Sequence, residues 1–112
     1  MGVSARAMDG VYGRPAAGVP ACLERLSDDA WEPVARGETD ADGKITAWAD
    51  WSFSPGAHRI LFDSDRYFAG LGLAAAYPDI AVAFRIRDGS DSCVIQVVLA
   101  PSSYAMNFET SG

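Results

Sequence analysis

The sequence predicts an all-β sandwich, and three observations carry that prediction. Apolar and polar residues alternate in short runs, turn-forming residues recur every ~8–12 positions, and only one short stretch can form a helix. The composition, 49% hydrophobic and 21% charged, is typical of a folded domain rather than of a disordered chain. With 112 residues we expect one domain, residues 1–112, that buries roughly two-thirds of the surface exposed by its unfolded chain.

The charge and the rarer residue types argue against several classes of function. Nine Lys and Arg residues against fifteen Asp and Glu give a formal charge of −6, which disfavours nucleic acid and anionic membranes as partners. No apolar run is long enough for a membrane span or a signal-peptide core, so we expect a cytoplasmic protein. Cys22 and Cys93 are far apart and His58 is the only histidine, so we expect no metal site, no redox centre and no cofactor.

The first half of the chain is predicted to contain four strands. Ser27-Asp28-Asp29 is expected to turn the second strand into the third, because short polar side chains bond nearby backbone groups. Asp40-Ala41-Asp42-Gly43 is a further turn with Gly43 at positive φ, and it lacks the remaining ligands of a calcium loop. The stretch around Arg14-Pro15 is expected to lie in a long loop. The four strands are Val3–Met8, Val19–Leu26, Trp31–Gly37 and Lys44–Trp51.

The second half is predicted to contain four more strands and the helix. The run from Asp79 to Asp88 is the clearest strand, because large apolar residues alternate in it with alanine and arginine. The helix is expected over Asp65–Leu71, with Ser64 or Asp65 as its N-terminal cap and Gly72 at its end. Asp88-Gly89-Ser90-Asp91 is expected to be a turn. The four strands are Ala57–Asp63, Asp79–Asp88, Ser92–Leu99 and Ser103–Phe108.

Five segments, in order and at matching distances, resemble the transthyretin and hydroxyisourate hydrolase family. The resemblance implies a sandwich of two four-stranded sheets with one short helix. It also implies a homotetramer, a dimer of dimers whose central channel holds two ligand sites. Hydrolases of the family open the ring of 5-hydroxyisourate there, whereas transthyretin carries thyroid hormone. The matching segments are Asp9–Pro20, Thr39–Lys44, Arg59–Asp63 with Tyr67-Phe68, Tyr77–Asp79, and Val98–Pro101 with Tyr104.

The chain departs from the hydrolases at their signature motifs. Their first-strand Ser-Thr-His-Val-Leu-Asp aligns with Ser4–Asp9, so the histidine is replaced by Arg6, and the second catalytic histidine, on the penultimate strand, by Val94. Their C-terminal Tyr-Arg-Gly-Ser aligns with Asn107–Thr110, so it is replaced as well. Of these motifs only the arginine of the Asp-Gly-Arg turn keeps its positive charge here, as Lys44. Neither a guanidinium nor an isopropyl group can act as a base near neutral pH. We therefore expect 5-hydroxyisourate hydrolysis to be lost or very weak.

Strand alternation, applied to this resemblance, places nine side chains on the channel wall and Lys44 at its edge. We assign catalytic roles to Arg6, Lys44, Asn107 and Glu109, because cations can stabilise developing negative charge and a carboxylate can accept a proton. Two alternatives stay open: Arg6 and Glu109 pair across the subunit interface, or Asn107 and Gln96 only replace lost hydrogen bonds. The residues expected to contact the substrate are Ser4, Met8, Val94, Gln96, Val98 and Ala105.

Three functions are compatible with this channel. The first is an enzyme retargeted to a small cyclic carbonyl compound, which it would open, close or isomerise. The second is a non-catalytic binder of a small molecule, and the third is a degenerate hydrolase with a purely structural role. The preference for Ala, Arg, Asp and Gly indicates a high-GC bacterial source, in which a diverged copy would serve specialised biosynthesis. His58 aligns with an exposed tyrosine of the family, so we expect it on the surface.

Overall fold

Strands account for most of the chain in the computed structural model, which describes residues 2–46, 48, 54–87 and 92–111. Nine strands and one six-residue helix lie within these residues. In chain order they are β1 (Gly2–Asp9), β2 (Arg14–Pro15), β3 (Pro20–Ser27), β4 (Ala30–Glu38), β5 (Lys44–Ile45), β6 (Gly56–Phe62), α1 (Ser64–Ala69), β7 (Ile80–Ile86), β8 (Ser92–Ala100) and β9 (Ser103–Ser111).

The strands form two sheets, which confirms the predicted all-β sandwich. Sheet A has the order β2-β1-β8-β9 with β5 also paired to β1, and sheet B has the order β4-β3-β6-β7. All of these pairs are antiparallel except β1 with β8, which is parallel. The predicted hairpin joins β3 to β4, with Asp28 and Asp29 both at positive φ. Arg14-Pro15, expected in a loop, instead pairs with the end of β1 as the short strand β2.

The core lies between the sheets and is built by strand alternation. In β7, Ile80, Val82, Phe84 and Ile86 are buried while the residues between them are exposed, as predicted. The inward residues of β1 and β8 are buried in the same way. Each large apolar side chain removed from water contributes roughly 1.5–3 kcal/mol, so these two faces supply most of the stabilisation. Alternation also fixes which residues of sheet A point away from the core.

His58 belongs to this core, so the prediction that it lies on the surface is wrong. It is fully buried on β6, on the same inward face as Ile60 and Phe62. Its ring stacks on Phe84 with 5.7 Å between centroids, and its Nδ1 lies 3.0 Å from the carbonyl oxygen of Gly56. Burial lowers the pKa of His58, because the charged ring would lose its hydration.

The helix begins one residue earlier than predicted, because its cap is Asp63 rather than Ser64 or Asp65. The Asp63 Oδ1 accepts the backbone N–H of Arg66 at 3.1 Å, which satisfies a donor that has no partner inside the helix. The last helical residue is Ala69 rather than Leu71, and Gly70 follows as the C-terminal cap. Gly72, expected to end the helix, lies two residues beyond that cap with a φ of 73°.

The strand predicted over Lys44–Trp51 is much shorter than expected. Among the described residues only Lys44–Ile45 pairs with β1, and neither Thr46 nor Trp48 belongs to a strand. Trp48 is buried in the core, where its indole N–H donates to the carbonyl of Val3 at 3.0 Å. Positions 47 and 49–51 of the predicted strand, and the predicted turn at 88–91, lie outside the described residues.

Candidate functional site

The ten residues predicted to form a site share the outer face of sheet A, the face turned away from the core. Their inward neighbours on β1 and β8 are buried, so alternation directs them outward. The strand register aligns them in three rows that run across the sheet. The first row is Ser4, Val94 and Glu109; the middle row is Lys44, Arg6, Gln96 and Asn107; the third row is Met8, Val98 and Ala105.

The middle row is polar, the third row beside it is apolar, and the first row mixes Val94 with Ser4 and Glu109. Lys44 and Asn107 at its ends are exposed, while Arg6 and Gln96 between them are half-buried. Val94 and Val98 flank this row on β8, and 37% of each residue is exposed. Along β8 the face therefore offers one apolar side chain on each side of a polar stripe, and such a mixture suits small organic ligands. A cavity of about 300 Å³, lined in part by Ser4, Thr46 and Val94, opens at one end of it.

The charges of the outer face have no partners within the described part of the protomer. None of the ion pairs found there involves Arg6, Lys44 or Glu109. The Nε of Arg6 is buried without a hydrogen-bond partner. Arg6 and Glu109 are separated by the width of β8, so an ion pair between them does not form inside one protomer. Their pairing across an interface stays a prediction.

Lys44 owes its place beside β1 to the turn that precedes it. The Asp40 Oδ1 accepts the backbone N–H groups of Asp42 and Lys44, at 2.9 and 3.0 Å. Gly43 has a φ of 75°, which confirms its predicted conformation, and its carbonyl accepts the N–H of Ala7 at 2.7 Å. A Cβ at this position would collide with the carbonyl oxygen of Ala7. Only glycine therefore lets the turn approach β1 this closely and set Lys44 opposite Arg6.

A buried carboxylate, which the sequence reasoning did not single out, fixes the loop after β1. The Asp9 Oδ1 accepts the N–H groups of Val11 and Tyr12 at 2.8 and 3.0 Å, and its Oδ2 accepts the hydroxyl of Tyr67 at 2.5 Å. Asp9 matches the aspartate at the end of the hydrolase motif. This match was the signal in the sequence that could have pointed to its structural role. It directly follows Met8 and so holds the end of the site strand.

These hydrogen bonds also shift the ionisation of both side chains. Burial alone would raise the pKa of Asp9, but the bonds from Tyr67 and from the two backbone N–H groups outweigh it and lower that pKa. Burial and the bond to Asp9 raise the pKa of Tyr67 to about 12. Asp9 is therefore a stable anion and Tyr67 a stable donor, which makes the pair a structural anchor rather than a proton-transfer couple near neutral pH.

Two further observations concern metal-binding groups and membrane-spanning helices. Across the described residues, no group of three or more His, Cys, Asp or Glu side chains could hold a metal ion. In the same part of the chain, no helix has the length and apolar character needed to span a bilayer.

Comparison with known proteins now gives the relationship. A family model described as the HIUase/Transthyretin family matches residues 3–107. The chain is 32% identical over 104 residues to a protein named 5-hydroxyisourate hydrolase from Salmonella dublin, an alignment that covers 92% of this chain and 76% of that one. It is 33% identical over 107 residues to a probable 5-hydroxyisourate hydrolase from Schizosaccharomyces pombe (strain 972 / ATCC 24843), covering 91% and 86%.

Solved structures agree with this relationship. The crystal structure of transthyretin from Sparus aurata superposes with a TM-score of 0.91 at 26% identity, covering 98% of this chain and 97% of the other. Sea bream transthyretin in complex with thyroxine superposes with a TM-score of 0.89 at 26% identity, covering 97% and 95%. The two-sheet sandwich with one helix is thus a transthyretin-type fold. The chain belongs to the HIUase/transthyretin family.

Proposed function

We propose that this chain is a retargeted, cofactor-independent enzyme of its family that opens, closes or isomerises a small cyclic carbonyl compound on the outer face of sheet A. The observation that carries the proposal is the middle row of that face, which combines two cations, two amides and a carboxylate one row away. Arg6 and Lys44 stabilise negative charge as it develops on the carbonyl oxygen. Glu109 accepts a proton, and Asn107 holds the substrate by hydrogen bonds.

The family relationship makes 5-hydroxyisourate hydrolysis the natural alternative activity. The relatives from Salmonella dublin and Schizosaccharomyces pombe carry that activity in their names. Against it stands the replacement of both motif histidines, by Arg6 and Val94. A guanidinium stays protonated and an isopropyl group has no proton to move, so neither can activate water near neutral pH. We expect only weak residual hydrolysis of 5-hydroxyisourate.

A second candidate is a binder that performs no chemistry. It is favoured by the two exposed valines of β8 and by Met8, which give the face a partly apolar floor. The sea bream relative is a precedent, because its structure holds thyroxine. A binder would return its ligand unchanged, whereas the proposed enzyme changes the ligand's covalent structure.

The assembly belongs to the same proposal. We expect a homotetramer, a dimer of dimers, in which the outer faces of two A sheets enclose the ligand. Exposed apolar residues support an assembly, because Tyr104, Met106 and Phe108 on the terminal strand β9 are 47%, 37% and 42% exposed. The composition supports a bacterial source, and we propose a cytoplasmic role in specialised biosynthesis.

The test is turnover by the purified protein. We would incubate it first with 5-hydroxyisourate and then with a panel of cyclic ketones, imides and lactones, and follow each compound by chromatography with mass detection. The proposal expects conversion of at least one panel compound, loss of that conversion in Glu109→Gln, and normal conversion in the control Glu32→Gln on the exposed part of β4. Hydrolysis of 5-hydroxyisourate at the rate of an intact relative would overturn it. Ligands that bind and return unchanged would establish the binder instead.

A further inference from the structure

Another cavity, of about 350 Å³, lies at one end of the outer face of sheet B, on the side of the sandwich opposite to the candidate site. The strand register builds its floor, because Arg36 on β4 pairs with Cys22 on β3, and Cys22 pairs with Leu61 on β6. Ala35 and Ile60, their neighbours along β4 and β6, are buried, so strand alternation directs the floor residues outward.

Two carboxylates stand on the far rim of this cavity. Phe62 pairs with Ile80, so Asp63, which follows β6, and Asp79, which precedes β7, lie side by side. The backbone N–H of Asp63 donates to the carbonyl of Pro20 at 2.8 Å, which ties this residue to β3. Its Oδ1 caps helix α1, so its Oδ2 can accept a bond from a ligand.

The loop that carries Asp79 is anchored before it reaches the cavity. The N–H of Ala76 donates to the carbonyl of Pro101 at 2.7 Å, and the hydroxyl of Tyr77 donates to the carbonyl of Ala100 at 2.6 Å. Both acceptors belong to the end of β8 and the turn after it. The backbone of the acidic rim is therefore in place before a ligand arrives, which lowers the entropic cost of binding.

The opposite charges around this cavity do not satisfy each other. Arg36, Asp63 and Asp79 are exposed, and within the described part of the chain none of them forms an ion pair. The strands β4 and β6 are two spacings apart, roughly 10 Å between backbones. Cys22 and Leu61 lie between the two charged ends. Burial raises the pKa of the Cys22 thiol, so the middle of the cavity carries no charge near neutral pH.

We propose that this cavity binds a short ω-amino carboxylate, a molecule with a carboxylate at one end, an ammonium group at the other and an apolar chain between them. Its carboxylate accepts paired hydrogen bonds from the guanidinium of Arg36, and its ammonium group donates to Asp63 and Asp79. The apolar chain lies over Cys22 and Leu61.

Only a ligand with both charges satisfies both ends of this cavity. An anion alone would meet two carboxylates, and a cation alone would meet a guanidinium. The cavity is at the lower end of the sizes of small-molecule sites, which favours a short ligand. The site lies on the other sheet from the proposed reaction and does not depend on it, so Arg36→Gln should leave any conversion on sheet A unchanged.

The first test compares three matched probes on the wild-type protein by calorimetric titration. They are 5-aminopentanoate, 5-aminopentanamide, which lacks the carboxylate, and 5-acetamidopentanoate, which lacks the ammonium group. We expect each altered probe to bind about tenfold more weakly than 5-aminopentanoate, or weaker still, and tenfold corresponds to ~1.4 kcal/mol. Equal affinity of either altered probe would overturn recognition of both ends, and so would the absence of measurable 5-aminopentanoate binding.

Two variants locate the ends of the ligand. Arg36→Gln should weaken 5-aminopentanoate about tenfold without weakening 5-aminopentanamide, because the amide has no carboxylate to lose. Asp79→Asn should weaken 5-aminopentanoate without weakening 5-acetamidopentanoate. Both side chains are exposed and lack ion pairs among the described residues, so both variants should fold, which thermal unfolding checks.

The matched controls are Arg85→Gln on the exposed side of β7 and Asp65→Asn in the first turn of α1. Neither residue lines the cavity, so 5-aminopentanoate should bind both variants as it binds the wild type. Equal losses in the controls and the cavity variants would indicate general electrostatic attraction and overturn the site. Binding that is lost in Arg6→Met but kept in Arg36→Gln would place the ligand on sheet A and overturn it as well.

Cys22 reports where the chain of the ligand lies. Saturating 5-aminopentanoate should slow alkylation of this half-buried thiol by iodoacetamide roughly fivefold or more, because the bound chain covers it. Peptide mapping measures the rate and gives the buried Cys93 as an internal control, whose alkylation should not change. An unchanged rate at Cys22 would overturn the placement. Equal slowing of both thiols would indicate a general effect on the fold and would overturn it too.

Discussion

Two arginines of sheet B are held by ion pairs, whereas the cations on the outer face of sheet A are not. On sheet B, Arg59 lies 2.5 Å from a carboxylate oxygen of Glu24 and 4.6 Å from the ring centre of Trp31, and Arg25 pairs with Glu32 at 3.2 Å. On sheet A, the described residues offer Arg6 and Lys44 no such partner. Ion pairs tie Arg25 and Arg59 to their neighbours on sheet B, whereas Arg6 and Lys44 form none among the described residues. This difference supports the proposal that ligands bind on the outer face of sheet A.

The largest effect is expected from the turn that carries Lys44 to sheet A. Gly43→Ala should lower the free energy of unfolding by about 3 kcal/mol, because the new Cβ meets the Ala7 carbonyl oxygen and the residue keeps a φ of 75°. Urea unfolding measures it. The control is Gly72→Ala, which has a φ of 73° but no atom within 4 Å, and it should cost only about 1 kcal/mol. Equal losses of stability in the two variants would mean that the positive φ alone, and not the close approach to β1, requires glycine at position 43.

Removing one arginine from each face tests this difference between the sheets most directly. Arg59→Met should cost about 2 kcal/mol, because it leaves the largely buried Glu24 without its cation and removes the contact with Trp31. Arg6→Met should change stability by less than ~0.5 kcal/mol, because no ion pair is lost, yet it should abolish ligand conversion. Thermal unfolding and the turnover assay separate the two. A large loss of stability in Arg6→Met would show that Arg6 serves the fold.

Near neutral pH, the pH dependence of stability should come from His58 in sheet B rather than from the outer face of sheet A. Because the pKa of His58 is lowered in the fold from 6.5, the unfolded chain binds more protons below that pH. Its contribution is complete above about pH 6.5 and is lost as the pH falls toward the folded pKa. In His58→Phe the free energy of unfolding should no longer fall as the pH drops below about 6.5. The separate loss of stability below pH 3.8, which reflects the lowered pKa of Asp9, should remain. Urea unfolding at a series of pH values gives both, and an unchanged slope near pH 6 would contradict the assignment to His58.

The smallest effect is expected from the exposed ion pair of sheet B. Arg25 and Glu32 have side chains 42% and 51% exposed, so Glu32→Gln should cost no more than about 0.5 kcal/mol. In high salt the difference in unfolding free energy between the wild type and Glu32→Gln should become smaller still, because salt screens exposed charges. A cost comparable to that of Arg59→Met would mean that burial is not what separates the two pairs.

The parts of the fold that follow from local pattern were predictable from the sequence. Alternation alone predicts β7 and its buried face. The glycine at position 43 predicts the positive φ that the turn adopts there. The three rows of the candidate site were predictable for the same reason: parity along each strand decides which residues share a face, whatever the partner strand. Their assembly into a working site is a proposal that pattern alone cannot test.

One misplaced feature, His58, contradicts the local parity of its strand, and the others depend on contacts between distant segments. His58 was assigned to the surface from a relative's exposed tyrosine, but its own strand parity with Ile60 and Phe62 turns it inward. The strand that starts at Lys44 ends early, and Trp48 donates to the carbonyl of Val3, 45 residues away in sequence. Asp9 escaped notice because its partner Tyr67 is 58 residues away in sequence. No window of neighbouring residues contains such pairs.

The bond between Tyr67 and Asp9 also limits how the molecule can move. It runs from helix α1, which follows the last residue of β6 in sheet B, to the end of β1 in sheet A. If one sheet slid over the other, the Tyr67 hydroxyl would move away from the carboxylate of Asp9. Only 1% of Asp9 is exposed, so water could not replace the lost hydrogen bond and the movement would cost free energy. The bond therefore restrains sliding of the two sheets, and in the proposed site we expect ligands of different size to be accommodated by rotation of side chains such as Met8 and Lys44.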